Sequence, residues 1–410
     1  MKTYTCNKEN KALRWIYLGI GTFVMLFAGV IYAWTILKAP LAEEFGFSST
    51  VLTVNYTLTF CFFCIGGIIN GRLRAKVKLR LRLLAGGIAV FLGFFLASRM
   101  ESAAVLYLGY GILGGFGIGV IYNNIVSELT LWFPERQGLC SGVLMMGFGA
   151  SAMLLGNTIQ TMINKADISW RGTYVILGAV IFFAAIIASI IIRPAETAKA
   201  SAGKKSNEET EKVLDLKPGQ MVKTSLFWMI FFRGICIGSS GGVIINFSRE
   251  LSLSLGATVA LATTIVGLLS ICNGIGRLVI GFLFDILKYK KTLWLSNVLT
   301  VLGLALNLFA YLSTNVTIFV IGAVVTGLAY GSATTISSAI IADFFGAKYF
   351  SQNFSVMNIT LVVSSIISIV CSLLLDHFGR YLELLLLLGG MIILGCILTL
   401  FIRKETKALL

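Results

Sequence analysis

The chain reads as an all-α membrane protein of twelve transmembrane helices in two pseudo-symmetric six-helix bundles, on three observations. Hydrophobic residues make up 57% of its 410 residues and charged residues 12%, against about 25% charged in soluble proteins. The apolar residues gather into unbroken runs of about 20, the length of helix that crosses a bilayer. A polar stretch at 193–224 then divides those runs six and six. Barrel strands alternate over about 10 residues, so continuous runs select helices. A soluble enzyme, a nucleic-acid binder and a disordered chain are all excluded, because none can accommodate this much apolar surface.

The runs fall at about 15–37, 51–70, 83–99, 103–131, 138–159 and 172–192, and then at about 225–247, 257–284, 292–312, 316–341, 353–375 and 382–402. The first is too long for a signal-peptide core of about 7–15 residues and is read as a retained span. The break at 193–224 holds Lys199, Lys204, Lys205, Glu208, Glu209, Glu211, Lys212, Lys217 and Pro218. It is read as a cytoplasmic linker between an N-terminal bundle, 1–192, and a C-terminal bundle, 225–410.

Orientation follows from Lys and Arg. With the N-terminus inside, the inner segments carry 25 of these residues and the outer ones 6, while Arg233 and Arg277 lie within spans. Both termini are therefore expected on the cytoplasmic side of the cell membrane. The net charge of +15 becomes a topology signal facing anionic lipid, and nucleic acid is not needed as a partner.

The halves repeat. Gly71, Leu73, Lys78 and Arg80 after span 2 recur 210 residues later as Gly281, Leu283, Lys288 and Lys290 after span 8. Trp132-Phe133-Pro134-Glu135-Arg136 after span 4 pairs with Phe344-Phe345-Gly346-Ala347-Lys348 after span 10. Parallel repeats of this kind, related by an axis along the membrane normal, are a transporter architecture.

All four prolines lie in or beside loops, so no span is kinked by proline. Glycines recur at four-residue spacing as Gly111, Gly115 and Gly119 in span 4 and as Gly234, Gly238 and Gly242 in span 7. Such rows line one helix face and admit a neighbouring backbone; they are read either as tight packing or as smooth surfaces for sliding. Of the eight cysteines, Cys61 and Cys64 form a CxxC around Phe62 and Phe63 and are read as packing residues.

Charges within the apolar runs are the informative exceptions, since a basic side chain at mid-membrane costs roughly 2.5–3.5 kcal/mol. Arg277 in span 8 has small and polar neighbours in Asn273, Gly274 and Gly276, and lies two turns before Asp285. A guanidinium is permanently charged and grips a carboxylate through two parallel hydrogen bonds. Arg233 in span 7 is expected either to pair with Glu128 or to reach toward the membrane surface. Tyr32, Tyr122 and Tyr330 lie inside runs, where a hydroxyl needs a partner. With His377 alone, expected in the outer loop between spans 11 and 12, and no acidic cluster, neither a metal site nor a hydrolase is expected, and no cofactor is needed.

The chain resembles the oxalate/formate antiporter family of the major facilitator superfamily, which is related to the monocarboxylate carriers. The residues that carry the resemblance are Gly29-Val30-Ile31-Tyr32-Ala33-Trp34, Trp132-Phe133-Pro134-Glu135-Arg136-Gln137-Gly138, Gly147-Phe148-Gly149, Asn273-Gly274 with Gly276-Arg277, Gly281 and Asp285, and Ala342-Asp343-Phe344-Phe345-Gly346. The resemblance implies the major facilitator fold and a central anion site between the halves. It further implies that Arg277 binds a carboxylate, with Asn273 beside it, and that Tyr32, Tyr122 and Tyr330 line the cavity. Arg233, Glu128 and Asp285 remain candidates for gating or structural ion pairs. Oxalate carriers of this family have a lysine in span 11 where this chain has Leu361, and proton-linked carriers have an acid where it has Asn273.

The expectation is thus a secondary transporter, not an enzyme. It carries a small monocarboxylate such as formate, lactate or pyruvate by alternating access, through anion exchange in a monomeric unit. Oxalate/formate antiport and proton-coupled symport are the alternatives. A carboxylate sensor is the reading of another class, and no signalling domain accompanies the spans.

Overall fold

A computed structural model describes residues 8–195 and 215–403. Most of the polar stretch at 193–224, including Lys199 to Lys212, lies outside the described residues, as does Cys6. The chain divides into two compact units, Met1–Glu209 and Thr210–Leu410, each built of packed helices.

Every predicted run is helical. Eleven helices among the described residues are long and apolar enough to cross a membrane. One of them, Val259–Leu312, has 54 residues and would extend about 80 Å as a single helix, far beyond a hydrocarbon core of about 30 Å. Its backbone leaves helical geometry at Lys288, where φ is 62° and ψ is 175°. It therefore contributes two spans, 8 and 9, and the count reaches the twelve that the sequence predicts.

In the first unit, span 1 runs as Lys8–Ala28, tightens to a 3-10 turn at Gly29–Ala33, and ends with Trp34–Leu37. A side chain on Gly29 would collide with the Phe148 carbonyl, so glycine there lets span 1 lie against span 5. Span 2 is Ser49–Leu73, capped by Ser48, and span 3 is Leu79–Ser98. Span 4 comprises Ala103–Leu106, a π-helical turn at Tyr107–Gly114, and Gly115–Trp132. Span 5 breaks at Ala150 into Gln137–Gly149 and Ser151–Asn164, and span 6 is Ser169–Ile191. Between spans 1 and 2 the short helix Ala39–Phe45 is pinned by Glu44, which accepts hydrogen bonds from Trp170 Nε1 and Arg171. The Trp170 hydrogen bond, followed by that of Arg171 and its charge, holds the Glu44 carboxyl below its usual range.

In the second unit, span 7 is Ser225–Ser254 and span 10 is Val316–Phe345. Span 11 breaks at Asn358 into Phe350–Met357 and Ile359–Phe378, and span 12 is Leu382–Phe401. Cys371 is the one buried residue of Ile359–Phe378, and most of the others are half-buried. His377 lies in the last turn of that helix rather than in the loop beyond it.

The two glycine rows differ. A methyl group on Gly115 or Gly119 would run into the backbone of Thr59 or Phe63 on span 2, so the span 4 row is a close backbone contact. On span 7, a methyl on Gly234, Gly238 or Gly242 meets nothing nearer than 3.6 Å, so packing alone does not require glycine there.

Candidate functional site

The first unit concentrates its polar interior at one end of spans 2, 3 and 4. Arg82, just outside the run expected at 83–99, is 4% exposed in the first turn of span 3. Its guanidinium donates to Asn70 Oδ1 at 3.2 Å, to Asn124 Oδ1, and to Glu128 Oε1 at 3.3 Å. Arg74 grips the same carboxylate, with Nε 2.9 Å from Oε1 and Nη2 3.4 Å from Oε2. Asn70 in turn donates to Asn123 at 2.8 Å. Glu128 thus finds its cations inside its own unit.

Arg233, 3% exposed, is held inside the other unit entirely by neutral groups. Nε donates to Thr399 Oγ1 at 2.9 Å, and Nη2 donates to Asn297 Oδ1 at 2.8 Å and to the Leu293 carbonyl at 3.1 Å. An Arg233–Glu128 pair is needed for neither charge. The physical reason is that amides, hydroxyls and carbonyls close by solvate the guanidinium through directed hydrogen bonds. The clue available from sequence was the presence of Asn70, Asn123, Asn124 and Asn297 within apolar runs.

Tyr32 and Tyr122, ninety residues apart, meet through Phe148. The Phe148 ring lies 5.4 Å from Tyr32 and 4.9 Å from Tyr122, edge-on to both. Phe63 adds a ring 5.0 Å from Tyr122, and Phe60 one 6.2 Å from Tyr32. Edge-to-face contacts of this kind add stability beyond area burial. They make one aromatic cluster from spans 1, 2, 4 and 5, in which Tyr32 is half-buried and the other four rings are buried. Phe60, Phe63 and Phe148 were not singled out as site residues from sequence. For Phe60 and Phe63 the signal was aromatic spacing along one face of span 2.

Arg277, 2% exposed, donates from Nε to Asn273 Oδ1 at 3.2 Å, one turn back on the same helix. Span 10 lies directly against this turn. Side chains on Gly276 and Gly331 would overlap the Leu328 and Asn273 carbonyls, so the two backbones touch there. Tyr330, adjacent to Gly331, is half-buried and wedges its ring against Gly241 of span 7. Behind it, a small cavity is lined by Ser240, Ile244, Thr300, Leu304 and Thr326. Arg277, Asn273 and Tyr330 are therefore brought to one level of the second unit. Asp285 sits half-buried eight residues along span 8 from Arg277, about 12 Å of helical rise away.

The family model for the Major Facilitator Superfamily matches residues 18–251 and again 230–409, and the chain belongs to that superfamily. It is a membrane transporter, not an enzyme. Among its relatives is the MFS-type transporter YhjX of Escherichia coli K12, 27% identical over 86% of each chain. The oxalate:formate antiporter of Oxalobacter formigenes is 25% identical over 83% of this chain and 80% of its own. Monocarboxylate transporter 2 of Mus musculus is 23% identical over 80% of this chain and 70% of its own. Of solved structures, the proton:xylose symporter XylE superposes with a TM-score of 0.74 at 12% identity over 98% of both chains. The Escherichia coli fucose:proton symporter FucP does so with 0.71 at 13% identity, over 95% of this chain and 99% of its own. These two establish the fold.

Proposed function

We propose that the chain is a secondary transporter of small monocarboxylates that exchanges one organic anion for another by alternating access. It would sit in the cell membrane with both termini on the cytoplasmic side. The observation that carries the reading is the buried Arg277 guanidinium with the neutral amide of Asn273 on its Nε. A permanently charged group in a low-dielectric interior is the natural counter-charge for a carboxylate. One such arginine suits one negative charge. Span 11 carries no Lys or Arg between Lys348 and Arg380, so a dianion would find no second cation there. The likeness to both an oxalate:formate antiporter and a monocarboxylate transporter supports the carboxylate class. Exchange is favoured over proton symport because an amide at position 273 does not take up and release a proton as a carboxylate would.

The test is counterflow of labelled formate, lactate and pyruvate in proteoliposomes. Arg277→Gln is expected to abolish exchange while the purified protein keeps its thermal unfolding profile. Undiminished exchange by the variant overturns the assignment.

A further inference from the structure

The chain leading into span 7 is fastened to the turn between spans 10 and 11. Leu216 donates its backbone N–H to the Phe345 carbonyl at 3.1 Å, and its own carbonyl accepts from Asn353 Nδ2 at 3.0 Å. Asp215 Oδ1 accepts from the Lys348 backbone N–H at 3.1 Å. The Leu216 side chain is buried. Gly346 is suited to this contact, because its φ is 85° and a side chain on it would overlap Asp215. The Phe344-Phe345-Gly346 segment singled out in the sequence is therefore the seat on which the end of the 193–224 stretch rests. Lys217 then donates its N–H to Gln220 Oε1 at 3.0 Å at the start of Pro218–Met221, and Thr224 caps span 7.

The equivalent turn of the first unit, after span 4, is fastened differently. Arg14 donates to Glu135 at 3.2 Å and lies 5.0 Å over the Phe133 ring. Arg14 belongs to the helix Lys8–Ala28, so that contact is made by a span. Residues 215–217 are not helical, and they can detach without unwinding a span.

Two features make the docking reversible. Asn353 is 0% exposed, yet its Oδ1 is buried without a hydrogen-bond partner. An unpaired buried acceptor raises the free energy of the docked arrangement, and water would satisfy it once Leu216 moved away. Asn353 also belongs to Phe350–Met357, the short first part of span 11, which joins Ile359–Phe378 through the break at Asn358. A short helix jointed at one end and tied near the other by three hydrogen bonds is an element with two arrangements.

We propose that Asp215 and Leu216 form a clasp on the span 10–11 turn, and that its release frees the first part of span 11 to swing during the transport cycle. The clasp lies at the end of the connection from the first unit, so movement in the cycle reaches it along the backbone. It rests on the alternating-access reading above, and not on which anion is carried.

The experiment measures how fast a maleimide reacts with single cysteines in the purified full-length protein, since a buried thiol reacts only through local opening. Leu216→Cys, in a background free of other cysteines, is compared with Gly219→Cys at an exposed position. The native buried Cys236, kept as the one cysteine, gives the closed reference. Leu216→Cys is expected to react about tenfold more slowly than Gly219→Cys, and to react fully while Cys236 stays unmodified. Adding Asp215→Ala is expected to bring Leu216→Cys close to the Gly219→Cys rate. Asp215→Asn, which keeps an acceptor oxygen for the Lys348 N–H, is expected to restore the slow rate. In proteoliposomes, Asp215→Ala alone is expected to raise the maximal exchange rate about twofold or more, with half-saturation unchanged. A Leu216→Cys thiol as inert as Cys236 overturns the release, and one as fast as Gly219→Cys overturns the docking. An exchange rate that Asp215→Ala leaves unchanged or lowers overturns the place of the clasp in the cycle. Absence of formate, lactate and pyruvate exchange in the unmodified protein sinks the carboxylate reading alone, while the labelling still decides the clasp.

Discussion

A buried charge persists in an apolar bundle only when something nearby solvates it, and the two units do this differently. In the first, Glu128 is shared by Arg74 and Arg82, whose other contacts are to asparagines and a backbone carbonyl. Removing the carboxylate leaves the Arg74 and Arg82 guanidiniums close together with no shared counter-charge, Arg82 in a site 4% exposed. Glu128→Ala is therefore expected to cost about 3–5 kcal/mol, read as a lowered thermal midpoint in detergent. Arg233 needs no acid, because Thr399, Asn297 and Leu293 supply its acceptors. Asn273 poses the complementary case. Asn273→Asp puts a carboxylate against Arg277, where it competes with the substrate for the cation. Exchange by this variant is expected to fall severalfold, and undiminished exchange would refute the placement of Asn273.

At the scale of the element, two rows of glycine with the same spacing have opposite consequences. On span 4, the atoms facing Gly119 are the backbone of Phe63, which cannot swing aside as a side chain can. Gly119→Ala is expected to destabilise by about 1–3 kcal/mol and to lower the yield of folded protein. On span 7, the nearest atoms to a methyl on Gly238 stand at ordinary contact distance. Gly238→Ala is expected to unfold at an unchanged temperature, and a loss comparable to that of Gly119→Ala would contradict the ordinary contact distances at Gly238. Helix breaks follow the same logic of local contact. The 3-10 turn at Gly29–Ala33 sits where span 1 meets Phe148, and Lys288 takes a positive φ where one continuous helix must become two.

For the whole molecule, the distribution of Lys and Arg carries the testable content. Segments after even-numbered spans hold most of the positive charge, and charge bias of this kind orients membrane proteins. In a cysteine-free background, Gly256→Cys and Asn315→Cys are expected to react with an impermeant thiol reagent on intact cells, and Lys76→Cys and Lys290→Cys only after permeabilisation. The reverse pattern would invert the topology. Span 11 offers a test of charge selection at the same scale. Leu361→Lys, in the helix Ile359–Phe378, is expected to shift preference toward dicarboxylates by supplying a second cation, seen as inhibition of monocarboxylate exchange by oxalate.

The sequence by itself determined the class, the number of spans, the repeat of six and the candidate anion-binding arginine. All of these follow from local properties: run length, residue type and the cost of a charge in hydrocarbon. It also held the polar residues of the buried network, yet gave no means of pairing them. That Glu128 meets Arg74 and Arg82 depends on spans 2, 3 and 4 being neighbours, and close backbone contact at Gly117 and Gly119 brings them together rather than any pattern along the chain. Only the tertiary structure brought Tyr32 to Tyr122 across Phe148 and separated a glycine row in close backbone contact from one at ordinary contact distance. Hydrogen bonds and close packing act between residues distant in sequence, so periodicity identifies the faces and the fold alone decides what each one meets.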